Sequence, residues 1–124
     1  MDRYKFKNAS KLRSYASDYT RKRIRQEIKR MKSDIEKAAR SGDDYLSIFF
    51  SDERMANEIY ERVTPELIYK GYKVSYVRNG DGYLTQIIKF SWKHGGFGPY
   101  QIEERMQEYY KTLKEIKKYA DDSD

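Results

Sequence analysis

Two stretches that alternate at period two, Tyr72–Arg78 and Tyr83–Trp92, flank the tetrad Asn79-Gly80-Asp81-Gly82. Asn-Gly and Asp-Gly both supply positive φ at little cost, so a chain with this pattern turns back on itself as a β-hairpin. On the second strand Leu84, Ile88, Phe90 and Trp92 share one side with Gln86. Tyr83, Thr85, Ile87, Lys89 and Ser91 share the other. One face therefore reads as core and the other as at least partly wet.

The segments before the hairpin decide how it is covered. From about Leu12 to Arg40 the pattern is helical, with Ile24, Ile28, Met31, Ile35 and Ala38 on one stripe. The register is looser through Leu12, Ala16 and Tyr19, and Ser17 or Asp18 could cap a second start. Gly42 ends this helix in the position that favours glycine. Tyr45–Phe50 reads as a short strand, after which Ser51 is expected to cap a helix carrying Asp52 and Glu53 in its first turn. Met55, Ile59 and Val63 form its apolar stripe, and Thr64-Pro65-Glu66 signals a kink or a restart as far as Lys70. Gly71 closes it. After the glycine-rich run His94–Pro99, the residues Ile102, Met106, Tyr109, Leu113, Ile116 and Ala120 recur at heptad-like spacing.

The order is thus α-β-α-β-β-α, an α+β fold with a small three-stranded, mostly antiparallel sheet whose third strand is central and whose helices cover one face. Tyr45, Tyr72, Tyr76 or Tyr83 could line the other face. By composition shifts the chain divides into a basic flexible arm (1–11), an α+β domain (12–93), a glycine-rich hinge (94–99) and a C-terminal amphipathic helix with an acidic tail (100–124). The arm is expected to be disordered without a partner. With 124 residues there is room for one modest core. Leu, Ile, Val and Phe are scarce at about 19%. Thirteen Tyr and one Trp offset this, since aromatic rings bury large areas at low rotamer entropy.

Charge is unevenly spread. Residues 1–32 hold twelve basic and three acidic side chains, whereas 33–98 and 99–124 are close to neutral, at −1 and −2. A near-neutral body with a +9 end attracts polyanions by counterion release. Arg21, Arg25 and Lys29 recur at i, i+4 and i+8 on the solvent side, joined by Lys22, Arg23, Arg30 and Lys32. Like charges at that spacing repel unless an anion meets them. Arg3, Lys5, Lys7, Lys11 and Arg13 extend the set toward the N-terminus. Tyr4, Phe6, Tyr15 and Tyr19 interleave with these cations, and Tyr15 and Tyr19 read as anchors back to the core.

Enzyme signatures fare poorly. The absence of Cys removes disulfides, thiolate metal sites and a Cys nucleophile. His94, the single histidine, lies beside three glycines, and no Gly-x-Ser-x-Gly elbow exists. Asp43-Asp44 and Asp52-Glu53 could hold a divalent cation, but turn and cap roles explain them. Gly95-Gly96-Phe97-Gly98 lacks the Lys-Ser/Thr of a phosphate loop and reads as a hinge. No zinc finger, RNP1 pattern or basic-zipper layout is present. No catalytic residue, metal or cofactor is expected. No apolar run reaches membrane-span length and no signal-peptide pattern opens the chain, so a cytoplasmic protein without a membrane partner is expected.

Ile35-Glu36-Lys37-Ala38-Ala39-Arg40-Ser41-Gly42, the following strand and helix, Gly71-Tyr72-Lys73-Val74 and Ile88-Lys89-Phe90-Ser91-Trp92 carry a resemblance covering about residues 30–93. The pattern resembles small accessory proteins of phages and mobile elements of Gram-positive bacteria. That resemblance implies action in a host cytoplasm and a role as virion part, regulator or inhibitor of host defence, anti-CRISPR proteins included. It supplies no site residue. Two readings follow. In the first, a non-enzymatic binding protein engages nucleic acid, a nucleoprotein or an acidic protein surface through its basic helix, and inhibition of a host RNA-guided nuclease is one form of this. In the second, a virion assembly protein forms a homo-oligomer through the seam of Ile102, Met106, Tyr109, Leu113 and Ile116.

Overall fold

A computed structural model describes residues 4–78, 86–93 and 98–122, with side chains as far as residue 118 except that of Arg78. Three helices and three strands follow in the expected order: α1 (Ala9–Arg40), β1 (Tyr45–Phe50), α2 (Glu53–Tyr69), β2 (Lys73–Arg78), β3 (Gln86–Ser91) and α3 (Pro99–Asp122). The sheet order is β1-β3-β2, and both outer strands run antiparallel to β3. The third strand is therefore central, and α2 is the crossover that carries the chain from one edge to the other. The turn Asn79–Gly82 with Tyr83 and Leu84, and the segment His94–Phe97, lie outside the described residues.

Alternation sorts the strands as expected. Gln86, Ile88 and Phe90 of β3 are fully buried. Leu46, Ile48 and Phe50 of β1 and Val74 and Tyr76 of β2 share their side of the sheet. α2 packs across all three strands, α1 lies against β1 and α2, and α3 lies against α2. Met55, Ile59 and Val63 are buried as their spacing requires, and Ala56, Tyr60, Thr64 and Ile68 join them. The stripe is broad because α2 has neighbours on three sides. The opposite face of the sheet carries no helix, and Tyr45, Phe49 and Val77 are exposed there. Tyr76 instead points into the core, where its hydroxyl donates to Asn57 Oδ1 and lies 3.3 Å from Gln86 Oε1.

Both helix-to-strand connections use one device. After α1, Gly42 takes φ +91°, its N–H donates to the Ala39 carbonyl, and the Asp43 N–H donates to the Ala38 carbonyl. After α2, Gly71 takes φ +99°, and the N–H groups of Gly71 and Tyr72 donate to the carbonyls of Ile68 and Leu67. This is the Schellman arrangement, which satisfies carbonyls left over at a helix end and turns the chain at once into the next strand.

Four expectations are corrected. α1 starts at Ala9 and not near Leu12, because Asn8 Oδ1 accepts from the Lys11 N–H and caps it three residues earlier. No break occurs at Ser17-Asp18, and Ala9–Arg40 is one helix of 32 residues, about 48 Å long. Asp52, not Ser51, caps α2, its Oδ1 accepting from the Met55 N–H at 3.2 Å.

The fourth correction is the most informative. α2 runs through Pro65 without a restart. A proline inside a helix has no N–H for the carbonyl four residues back, here that of Glu61. The Tyr109 hydroxyl of α3 donates to that carbonyl at 2.9 Å. A side chain from another helix thus replaces the missing backbone donor, and the two helices are pinned where α2 is weakest. Tyr109 is buried with its ring 5.5 Å from that of Tyr60.

Candidate functional site

Residues of α1 advance by about 100° each around the helix axis. Ile24, Ile28, Met31 and Ile35 fall within one narrow arc, which faces β1 and α2. Arg21, Lys22, Arg25, Lys29 and Lys32 fall within a second arc of about 100°, roughly a quarter turn from the first. All five are exposed. Over twelve residues they form a band about 17 Å long. Lys11 lies in the same arc about two turns past Asp18, the carboxylate that interrupts it.

Ion pairing leaves this band open. Among the described residues the salt bridges of α1 belong to Arg30, which lies 3.7 Å from Glu27 and 3.8 Å from Asp34. No carboxylate stands within salt-bridge distance of Arg21, Lys22, Arg25, Lys29 or Lys32 among those residues. Lys32 is close enough to α2 to contribute to holding the Glu66 carboxyl below its ordinary range, behind the larger effects of the Lys70 hydrogen bond and charge. Arg30 is thus partly neutralised by its own helix, and the band from Arg21 to Lys29 is the freest cationic surface. The sequence places these cations but does not show which of them lack counter-charges.

Every residue from Ala9 to Arg23 is exposed, a projection of about 22 Å whose last turns, at Ser17, Tyr19 and Thr20, line a crevice against α2 and α3. Tyr15 and Tyr19 are therefore not anchors to the core: they are 47% and 67% exposed. The reason is angular. Leu12, Tyr15 and Tyr19 form their own stripe, turned nearly to the opposite side of the helix from Ile24 and Ile28. The residues before the helix fold back on it, with Lys7 Nζ donating to the Tyr15 hydroxyl at 2.9 Å. Lys5 sits in the left-handed region at φ +54°. Lys11 and Arg13 lie on the first turns of α1, and Arg3 lies outside the described residues.

Where the projection meets the body, α1, the first half of α2 and the far end of α3 enclose a crevice of about 650 Å³. Arg21, Arg23, Arg54 and Lys117 reach it, as do Glu58 and Glu61. Arg62, also at the rim, pairs with Glu58 at 3.5 Å. Its lining carries both signs, whereas the outer band from Arg21 to Lys32 is cationic throughout. Local spacing could not foretell it, because its walls are up to a hundred residues apart in the chain.

The seam of α3 faces inward. Tyr109 belongs to the core, and Ile102, Met106, Leu113 and Ile116 pack against it. The Ala120 side chain lies outside the described residues. Desolvation is the main reason the Tyr109 and Tyr60 phenols are held above their ordinary range, so both stay neutral donors in the fold.

Of the carboxylates weighed for chemistry, that of Asp52 caps α2, while Asp43 and Asp44 use their backbone carbonyls, which accept from Trp92 Nε1 at 2.9 Å and from the Trp92 N–H. Among the described residues no group of three His, Asp or Glu side chains is placed to hold a metal ion. No described helix is long and apolar enough to cross a membrane. His94 lies outside the described residues. Comparison with protein-family models, with curated proteins and with solved structures gives no match.

Proposed function

We propose that this chain is a non-enzymatic binding protein whose basic α1 engages nucleic acid, free or within a nucleoprotein. The observation that carries this reading is the open band of Arg21, Lys22, Arg25, Lys29 and Lys32 on the longest described helix. Five like charges in a quarter of a helix surface destabilise an isolated helix through repulsion, and a polyanion converts that cost into binding. Arg offers a bidentate fork to phosphate and Lys a point charge, and the band mixes both. A helix about 10–12 Å across also fits a major groove about 12 Å wide.

The resemblance to phage accessory proteins gives this activity one concrete form, the occlusion of a nucleic-acid path in a host RNA-guided nuclease. Oligomerisation through the α3 seam has less support, since a second copy would compete with α2 for the same apolar side chains.

Purification from cells without nuclease treatment tests the reading. Nucleic acid that absorbs at 260 nm is expected to travel with the protein at low salt and leave at high salt. Protein free of nucleic acid at low salt would contradict it.

A further inference from the structure

The open face of the sheet is a second surface, remote from the chemistry of α1, and its composition is selective. Cross-strand register aligns Phe49, Ile87 and Val77 in one row, and Tyr45 and Lys73 flank Ser91 in another. Lys89 stands between the rows, flanked by Ser47 and Ser75. Phe49 is 66% exposed and Tyr45 52%, so both rings remain open to solvent, Phe49 the more so. Lys89 Nζ sits over the Tyr45 ring, 4.5 Å from its centroid, so a cation covers one face of that ring and a base would stack on the other. Nine outward positions hold two lysines, three serines and no carboxylate. The nearest acids in the chain, Asp43 and Asp44, precede the strand.

We propose that this face binds single-stranded nucleic acid, with Phe49 and Tyr45 stacking on bases while Lys89 and Lys73 meet phosphates. The two rings are about 13 Å apart along β1, so they serve separate bases. Flat aromatic rings accept any base, and cations without neighbouring carboxylates favour a polyanion over a neutral apolar partner. A second copy of the chain fits less well, because an isologous contact would bring four lysines and no carboxylate from this face into one interface. Stacked base pairs hide their faces, so a duplex cannot use the rings.

The inference goes beyond the role of α1, and the experiment separates the two. Labelled twelve-nucleotide strands of deoxyribose and of ribose, and a duplex of equal length, are titrated by fluorescence anisotropy. Phe49→Leu and Tyr45→Leu keep apolar bulk and lose the ring, and circular dichroism checks that both variants fold. Each is expected to weaken single-strand binding about tenfold and leave duplex binding unchanged. The deoxy and ribo strands show whether one sugar is preferred. Single-strand binding that is unchanged by both substitutions overturns the inference, and points to the apolar row as a protein contact. If single strands are bound through the rings while neutral variants of α1 bind as tightly as wild type, the reading of α1 falls and that of the sheet stands. Failure to bind any of the three probes removes both.

Discussion

Replacing Lys22, Arg25 and Lys29 together by Gln is expected to weaken binding to a duplex of about 20 base pairs several hundredfold at 0.1 M salt. Each cation that neutralises a phosphate releases about 0.9 of a counterion, which is worth almost one decade of affinity at that salt concentration. The three residues share one face of α1 and no carboxylate lies within salt-bridge distance of them among the described residues. Their loss should therefore remove contacts without freeing a buried partner. The fold should hold or gain slightly, since repulsion along the helix is relieved. Arg30→Gln is the matched comparison. It removes a cation already paired with Glu27 and Asp34, so a smaller loss is expected, of a few fold. Anisotropy titrations of the two variants beside wild type check this directly. Equal losses for the two would mean that the open band has no special part in binding.

The second large effect concerns stability. Tyr109→Phe should cost about 1–2 kcal/mol, because the Glu61 carbonyl is left without its donor in a half-buried setting. Pro65→Ala restores an N–H that can reach the same carbonyl, so in that background Tyr109→Phe should cost much less. A double-mutant cycle read by urea denaturation is expected to give a coupling of about 1 kcal/mol or more between positions separated by 44 residues of chain. Additive costs would show that the phenol is not acting for the proline. The sign of the pH dependence follows from the same burial. A phenol held neutral contributes stability that is intact below its unfolded value near 10 and is lost as pH rises through its higher folded value. Tyr109→Phe should therefore flatten the loss of stability above about pH 10.

Pro65 also shows where sequence reasoning reaches its limit. The spacing of Met55, Ile59 and Val63, the glycines at 42 and 71, and the inward face of β3 are local patterns, and each is where its pattern places it. The central position of β3 follows from ordinary rules of connection. A proline reads as a break because its missing hydrogen bond is visible locally, whereas the replacement comes from Tyr109, far along the chain. Ser51 and Asp52 are both competent caps, and one residue of register decides between them. Tyr15 and Tyr19 belong to a helical stripe of their own, and only the bearing of α1 on the body shows that both rings stay exposed. The cations of the site were legible by type and spacing. Their freedom from counter-charges, the crevice behind Arg21 and the bare side of the sheet were not, since each depends on how elements pack.

The most direct test of the account is the salt dependence of wild-type binding to the duplex. Five open cations on α1 predict a slope of about −4.5 in a plot of log affinity against log salt. A slope near zero, or no measurable binding at 0.05 M salt, would contradict the assignment of α1 as a nucleic-acid surface.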